Sequence, residues 1–115
     1  MSHAAQISSE TSAPAAFDLL LGLAGPVELA AKFAGRSTDD TGLEALAMRV
    51  VEAGREQDQA VAERIRDLVS ITQAGLEMVS KLRRADASPA MVRAAGNALV
   101  DELADSIAVI ARRIA

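Results

Sequence analysis

The residues best suited by type and spacing to do chemistry are three carboxylates near the end of the chain. Asp101 and Asp105 are four residues apart, which places them on one face of a helix, and Glu102 lies one step round from them. Carboxylates grouped in this way could bind Mg²⁺. A solvated acidic face on an amphipathic helix has the same pattern, and we adopt this second interpretation.

Other catalytic side chains are scarce in the sequence. General acid–base catalysis near neutral pH most often uses histidine, and the one histidine, His3, lies in a terminal segment without apolar periodicity. There is no cysteine, which excludes thiolate nucleophiles, disulfides and zinc–thiolate sites. Gly22 and Gly25 are not followed by the rest of a phosphate-binding pattern. The sequence therefore predicts no catalytic residue, no metal site and no cofactor, in a protein that is not an enzyme.

The stretch from Asp101 to Asp105, Asp-Glu-Leu-Ala-Asp, resembles the last acidic motif of the all-α nucleotide pyrophosphohydrolases. The resemblance implies Mg²⁺ bound between a Glu-x-x-Asp and an earlier Glu-x-x-Glu. The earlier motif would need an acid before Glu28 at position 25, where this sequence has Gly25. The chain therefore departs from the family's pattern at the residues that would bind the metal.

The elements that position these residues are predicted to be helices. The chain has 115 residues, enough for one domain, and 50% of them are hydrophobic. Its apolar residues are mainly Ala, Leu, Val and Ile, and its only aromatic residues are Phe17 and Phe33. Good helix formers dominate, whereas the residues typical of sheets are few. This composition predicts an all-α fold.

The charge balance restricts the partners. A net charge of -4, from 16 acidic and 12 basic side chains, gives no attraction to nucleic-acid phosphates or anionic lipid, so no nucleic-acid partner is expected. The first residues lack the basic start and apolar stretch of a signal peptide, which predicts a cytoplasmic location. Frequent Ala and Arg with few Lys is a composition typical of GC-rich bacterial genomes.

The chain divides into a tail and one domain. Residues 1–13 are rich in Ser, Ala and Thr without apolar periodicity, which predicts a disordered tail. Residues 14–115 are predicted to form a single helical domain, whose first helix covers 14–34 and ends before Gly35. Pro26 removes a backbone donor inside this helix, so a kink or a break into two short helices is expected there.

Two longer helices are predicted at 43–84 and 89–115. In both, apolar residues recur at alternating intervals of three and four residues, the spacing of a coiled coil. A polar turn joins them, so they are expected to form a long antiparallel helical hairpin. Gly54 and Gly75 lie inside the first of the two and mark predicted crossing points or a hinge.

This hairpin has more apolar surface than two helices can bury. A bundle completed by oligomerisation, or by docking on a helical protein partner, is therefore expected. The start of the 43–84 helix is left for the first helix or for another subunit. The predicted function is that of a non-enzymatic helical assembly or adaptor protein, acting as a homo-oligomer or on a helical partner. The residues predicted to form its core and shared interface are Ile65, Leu68, Val69, Ile71, Leu76, Val79, Leu99, Leu103, Ile107 and Ile110.

A second interpretation makes the chain a peripheral membrane or secretion-apparatus subunit that uses its first helix. The sequence from Val27 to Gly35 resembles the terminal helix of type III secretion inner-rod subunits, where that helix ends the chain. Charged residues and a proline interrupt the apolar run, so the helix is not expected to span a bilayer. The residues predicted to contact a partner or a membrane are Phe17, Leu20, Leu21 and Phe33.

Overall fold

The computed structural model describes residues 15–114, and every regular element in this range is helical. The all-α prediction is confirmed. The predictions for the tail at 1–13 and for His3 lie outside the described residues. The helices are α1 (Ala16–Ala34), a short 3₁₀ helix (Thr38–Thr41), α2 (Leu43–Glu52), α3 (Gln59–Arg84) and α4 (Pro89–Arg112).

Helix α1 continues through Pro26, so the predicted break into two short helices is wrong. A proline ring crowds the residue before it and the carbonyl four residues back. The residue before the proline is Gly25, and the absence of a Cβ there leaves more room for the ring. The helix ends where the sequence predicts, at Gly35, which has a left-handed φ of 68°.

The predicted continuous helix over 43–84 is also wrong, because the chain turns between α2 and α3. Gly54 has a left-handed φ of 68°, which ends α2. Glycine reaches this conformation without the steric penalty of a side chain. The Arg55 N–H donates to the Val50 carbonyl at 2.9 Å and so closes the last turn of the helix. Gly54 is therefore a helix end rather than a position within a helix.

Asp58 begins α3. Its Oδ1 accepts hydrogen bonds from the Ala60 N–H at 2.9 Å and the Val61 N–H at 3.2 Å, and these amides have no partner within the helix. Its Oδ2 accepts a hydrogen bond from Arg55 Nη1 at 2.7 Å. The bond from Arg55, and after it those from the two amides, lower the pKa of Asp58.

The directions of the helices follow from a few contacts. Gly75 of α3 packs against Leu99 of α4, and with a connection of only residues 85–88 this contact makes α3 and α4 antiparallel. The Phe17 N–H donates to the Glu56 carbonyl just before α3, at 3.2 Å. At the other end of α1, Phe33 lies beneath a guanidinium near the end of α3. Helices α1 and α3 therefore run in the same direction.

Helix α1 packs with one side on both α3 and α4. Its closest approach is at Gly96, where an added Cβ would lie 2.8 Å from the Ala34 backbone nitrogen. The buried positions of α1 alternate at intervals of four and three residues, as do those of α3 and α4. One continuous core therefore joins the four helices. The inward residues of α1 include Ala16, Leu20, Leu23, Val27, Ala30 and Ala34.

Helix α2 folds back on α1 and α4. Its contact with α1 is one of the two alternatives that the sequence predicts for this stretch, the other being another subunit. Leu46 and Val50 are buried against the common core. Ahead of the helix, an added Cβ at Gly42 would be 3.6 Å from Ile107 Cγ2. Near its end, Arg49 Nε donates to a backbone carbonyl after α4 at 3.3 Å. The chain thus covers this part of the bundle with its own helix.

Candidate functional site

The acidic cluster that the sequence singles out lies on the exposed side of α4. Asp101 Oδ1 accepts a hydrogen bond from Arg36 Nη1 at 2.7 Å, and Asp40 Oδ2 accepts one from Arg36 Nε at 3.2 Å. These bonds, the one to Asp101 first, raise the pKa of Arg36. Within residues 15–114, no group of three His, Cys, Asp or Glu side chains could hold a metal ion. Through its hydrogen bond from Arg36, Asp101 links the segment that follows α1 to helix α4.

Most of the predicted interface residues lie inside the chain's own core. Val69, Ile71 and Leu76 are half-buried and pack against its edge. The others are buried, so a partner cannot reach them in this conformation. These buried residues are Ile65, Leu68, Val79, Leu99, Leu103, Ile107 and Ile110.

The residues predicted to anchor the first helix lie in different environments. Leu20 is buried, while Phe17 and Phe33 are half-buried. The Arg83 guanidinium lies 5.4 Å from the centroid of the Phe33 ring, a cation–π contact that joins the ends of α1 and α3. Leu21 is 59% exposed. Of these residues, Leu21 offers the largest free surface to a partner.

The side of α1 that faces away from the bundle is apolar in its middle and charged at its ends. Leu29 is 43% exposed, and Gly22 and Gly25 are exposed between it and Leu21. A Cβ added at either glycine would meet nothing within 4 Å, so no other part of the described chain approaches this backbone. We call this surface the outer face of α1, formed by Asp18, Leu21, Gly22, Gly25, Glu28, Leu29 and Lys32.

A groove of about 460 Å³ runs beside the outer face, between α1 and α2. Most of the side chains that line it are apolar or small. Farther along α2, Met48 and Val51 are exposed and follow Glu44 and Ala47 at helical spacing, so they extend the same side of α2. The residues that line the groove are Leu20, Leu21, Ala24, Gly25, Glu28, Thr38, Leu43, Glu44 and Ala47.

A second apolar surface lies on α3 and α4. Met78 is 64% exposed and Met91 is 55% exposed. Ile71 lies two turns before Met78 on α3, and Val109 lies five turns after Met91 on α4, so each pair shares one side of its helix. We call Ile71, Met78, Met91 and Val109 the α3–α4 face.

Comparisons with protein-family models, with curated proteins and with solved structures each found no match. No helix within residues 15–114 is long and apolar enough to cross a membrane. The function therefore has to be inferred from the surfaces of the chain itself.

Sequence reasoning identified Leu21 but missed Leu29 and the charged ends of the outer face. The outer face could have been found from the spacing of small and apolar residues within α1. This spacing marks the inner side of the helix, and the outer face is the opposite side. Alanines at core positions weakened that signal, because alanine is compatible with either side of a helix. The exposed Met48 and Met91 were missed as well, since single exposed methionines have no periodicity.

Proposed function

We propose that this chain is a non-enzymatic assembly protein that functions by helix–helix association with further copies of itself. The outer face of α1 is the observation that supports the proposal. Leu21 and Leu29 are exposed together on a helix whose inner side is already occupied by α3 and α4. Neighbouring apolar side chains in one surface patch are typical of interaction sites, whereas single exposed ones are not.

The proposal includes the arrangement within each subunit. We propose that α3 and α4 form the antiparallel, coiled-coil-like hairpin predicted from the sequence, with α1 packed along it. The alternating four- and three-residue spacing of their buried positions supports this arrangement. Asp101 has a structural role in this proposal, supported by its bond to Arg36.

Light scattering over a concentration series tests the proposed self-association. We expect the solution mass to rise from the 12.0 kDa of one chain toward the mass of two as the concentration increases. A mass that stays at one chain over the whole series would contradict self-association. The chain would then have to act as an adaptor for a different helical protein.

A second candidate function is contact with a membrane surface, as in a peripheral or secretion-associated subunit. The exposure of Leu21 and Leu29 favours it, because an interfacial helix needs an apolar side free of other contacts. Flotation with neutral vesicles separates the two functions, using the whole chain and the Leu21→Ser variant, which removes the apolar side chain without adding a charge. If the wild-type chain floats with the vesicles and the variant does not, the result favours membrane contact. If the wild-type chain stays in solution, the result argues against membrane contact.

A further inference from the structure

We infer that α1 pairs with α1 of a second copy in antiparallel orientation, around a two-fold axis beside Gly25. This inference rests on the proposed self-association and specifies its surface, its register and its direction. A two-fold interface brings one surface patch against the same patch of the partner, so the patch has to be complementary to itself. The outer face of α1 meets this condition.

The register follows from the spacing of residues on either side of Gly25. Asp18 lies seven residues before it and Lys32 seven residues after it, so an antiparallel pair sets each carboxylate beside an ammonium group of the partner. Leu21 and Leu29 lie four residues before and after Gly25, and each therefore meets the other across the axis. One register thus matches both the charges and the apolar side chains.

The direction follows from the same charges. A parallel pair would set Asp18 against Asp18 and Lys32 against Lys32, which is repulsive at both ends. The antiparallel pair also places the negative end of one helix dipole beside the positive end of the other. Opposite charges and opposed dipoles therefore both favour the antiparallel pair.

The charged side chains that this pairing uses are available for an ion pair with a second copy. Neither Asp18 nor Lys32 forms an ion pair within residues 15–114. On the outer face, Asp18, Gly22, Gly25, Leu29 and Lys32 follow one another at intervals of four and three residues, so they form one stripe along the helix. That stripe is long enough to meet the same stripe on a second copy.

The shape of the outer face permits close approach. Gly22 and Gly25 have no Cβ, which lets two backbones cross at short distance near the axis. The groove between α1 and α2 begins beside Leu21, so it can receive the partner's Leu29. Glu28 lies opposite the partner's Gly22 in this register and gains no charged partner, so its carboxylate stays at the solvated edge.

One helix per subunit makes a small interface. Interfaces at the small end of the range belong to transient complexes, and we expect a dissociation constant on the order of micromolar. The α3–α4 face also exposes apolar side chains, but it has no role in the inferred pairing. It therefore serves as the control surface, and Met78 as the control residue.

A charge exchange at Asp18 and Lys32 tests the register. In the Asp18→Lys variant both ends of the pair become repulsive, and we expect dimerisation about tenfold weaker than in the wild type by analytical ultracentrifugation. The double variant Asp18→Lys with Lys32→Asp restores opposite charges across the axis and should return to within about threefold of the wild type. High salt should reduce these differences. Met78→Lys should have no effect.

Cysteine cross-linking tests the direction without changing the charges. The sequence has no cysteine, so Leu21→Cys and Leu29→Cys each create a single thiol. An oxidised mixture of the two variants, one of them enlarged by a tag, should give mainly the mixed disulfide. Each variant alone should cross-link poorly, because the two copies of one residue lie about 12 Å apart along the helix axis in this register. Met78→Cys, mixed with either variant, is the control.

The outcomes separate the inference from the proposed function. Suppose that the wild-type chain dimerises and that the Leu21→Cys variant cross-links efficiently to itself. The helices would then pair in parallel, which overturns the inference and leaves the proposed self-association intact. If Met78→Lys abolishes dimerisation and Asp18→Lys leaves it unchanged, the contact between copies lies on the α3–α4 face. This result also overturns the inference and leaves the proposed self-association intact. A chain that remains monomeric overturns both.

Discussion

At the scale of single residues, Gly96 occupies the tightest contact between α1 and α4. An added Cβ there would lie 2.8 Å from the Ala34 nitrogen and 2.9 Å from the Phe33 carbonyl carbon, and backbone atoms cannot rotate away. The helices would have to separate for any side chain to fit. Gly96 thus sets the distance at which α1 sits on the bundle.

We expect Gly96→Ala to lower the free energy of unfolding by about 1–3 kcal/mol, the usual cost of an added methyl group in a packed core. Gly22→Ala is the matched control, since a Cβ at that exposed helical position meets nothing within 4 Å. There the loss of backbone freedom in the unfolded chain should raise stability by about 0.5–1 kcal/mol. Urea denaturation measures both. Equal effects of the two substitutions would contradict the close contact at Gly96.

At the scale of elements, the boundary between α2 and α3 depends on Asp58. Its carboxylate caps α3 and binds Arg55, and both contacts hold its pKa below the ordinary 3.8. A group with a lowered folded-state pKa stabilises the fold fully above its ordinary pKa. That stabilisation is lost as the pH falls through the lower, folded-state pKa. The start of α3 should therefore weaken in acid.

Two substitutions separate capping from charge. Asp58→Ala should lower the melting temperature by several degrees near neutral pH, because α3 loses its N-cap. Asp58→Asn keeps a capping oxygen but does not titrate, so its stability should fall less than that of the wild type as the pH is lowered from neutral to below the ordinary aspartate pKa of 3.8. Thermal melts followed by circular dichroism across this range measure the difference. Parallel pH profiles for wild type and Asp58→Asn would refute the role of the charge.

The sequence predicts the inner sides of α3 and α4 well, because large residues such as Ile65 and Leu103 recur at helical spacing. It predicts the turn after Gly54 poorly. Both signals of that turn were present, a glycine followed four residues later by Asp58, but the apolar spacing on either side concealed them. The outer face of α1 was predicted only at Leu21. Asp18 and Lys32 interrupt an apolar run in the sequence, and they can be assigned to one face of the helix only when its buried side is known.

At the scale of the whole molecule, we expect the buried residues that the sequence assigns to the core and shared interface to determine the stability of the single chain. Ile65 is fully buried in the core that joins the four helices. Ile65→Ala should therefore lower the free energy of unfolding by about 2–5 kcal/mol. Met78→Ala, at an exposed position, should change it by no more than about 0.5 kcal/mol.

Urea titrations at several protein concentrations test this assignment. The destabilisation by Ile65→Ala should be the same in dilute and concentrated samples, because the residue packs within one chain. A loss of stability that grows as the concentration rises would instead assign Ile65 to a contact between chains, because such a contact stabilises only the associated protein.

The order in which the bundle forms follows from the connections between its helices. The contact of α3 with α4 closes across residues 85–88, whereas the bond from Arg36 to Asp101 closes a separation of 65 residues. Loop-closure entropy increases with separation, so α3 and α4 should pair in the folding transition state and α1 should dock after it. Truncation of Leu99 should then slow folding, and disruption at Gly96 should mainly speed unfolding. The helix that docks last, α1, also bears the outer face. A chain that has not finished folding therefore lacks the surface through which we propose that folded chains associate.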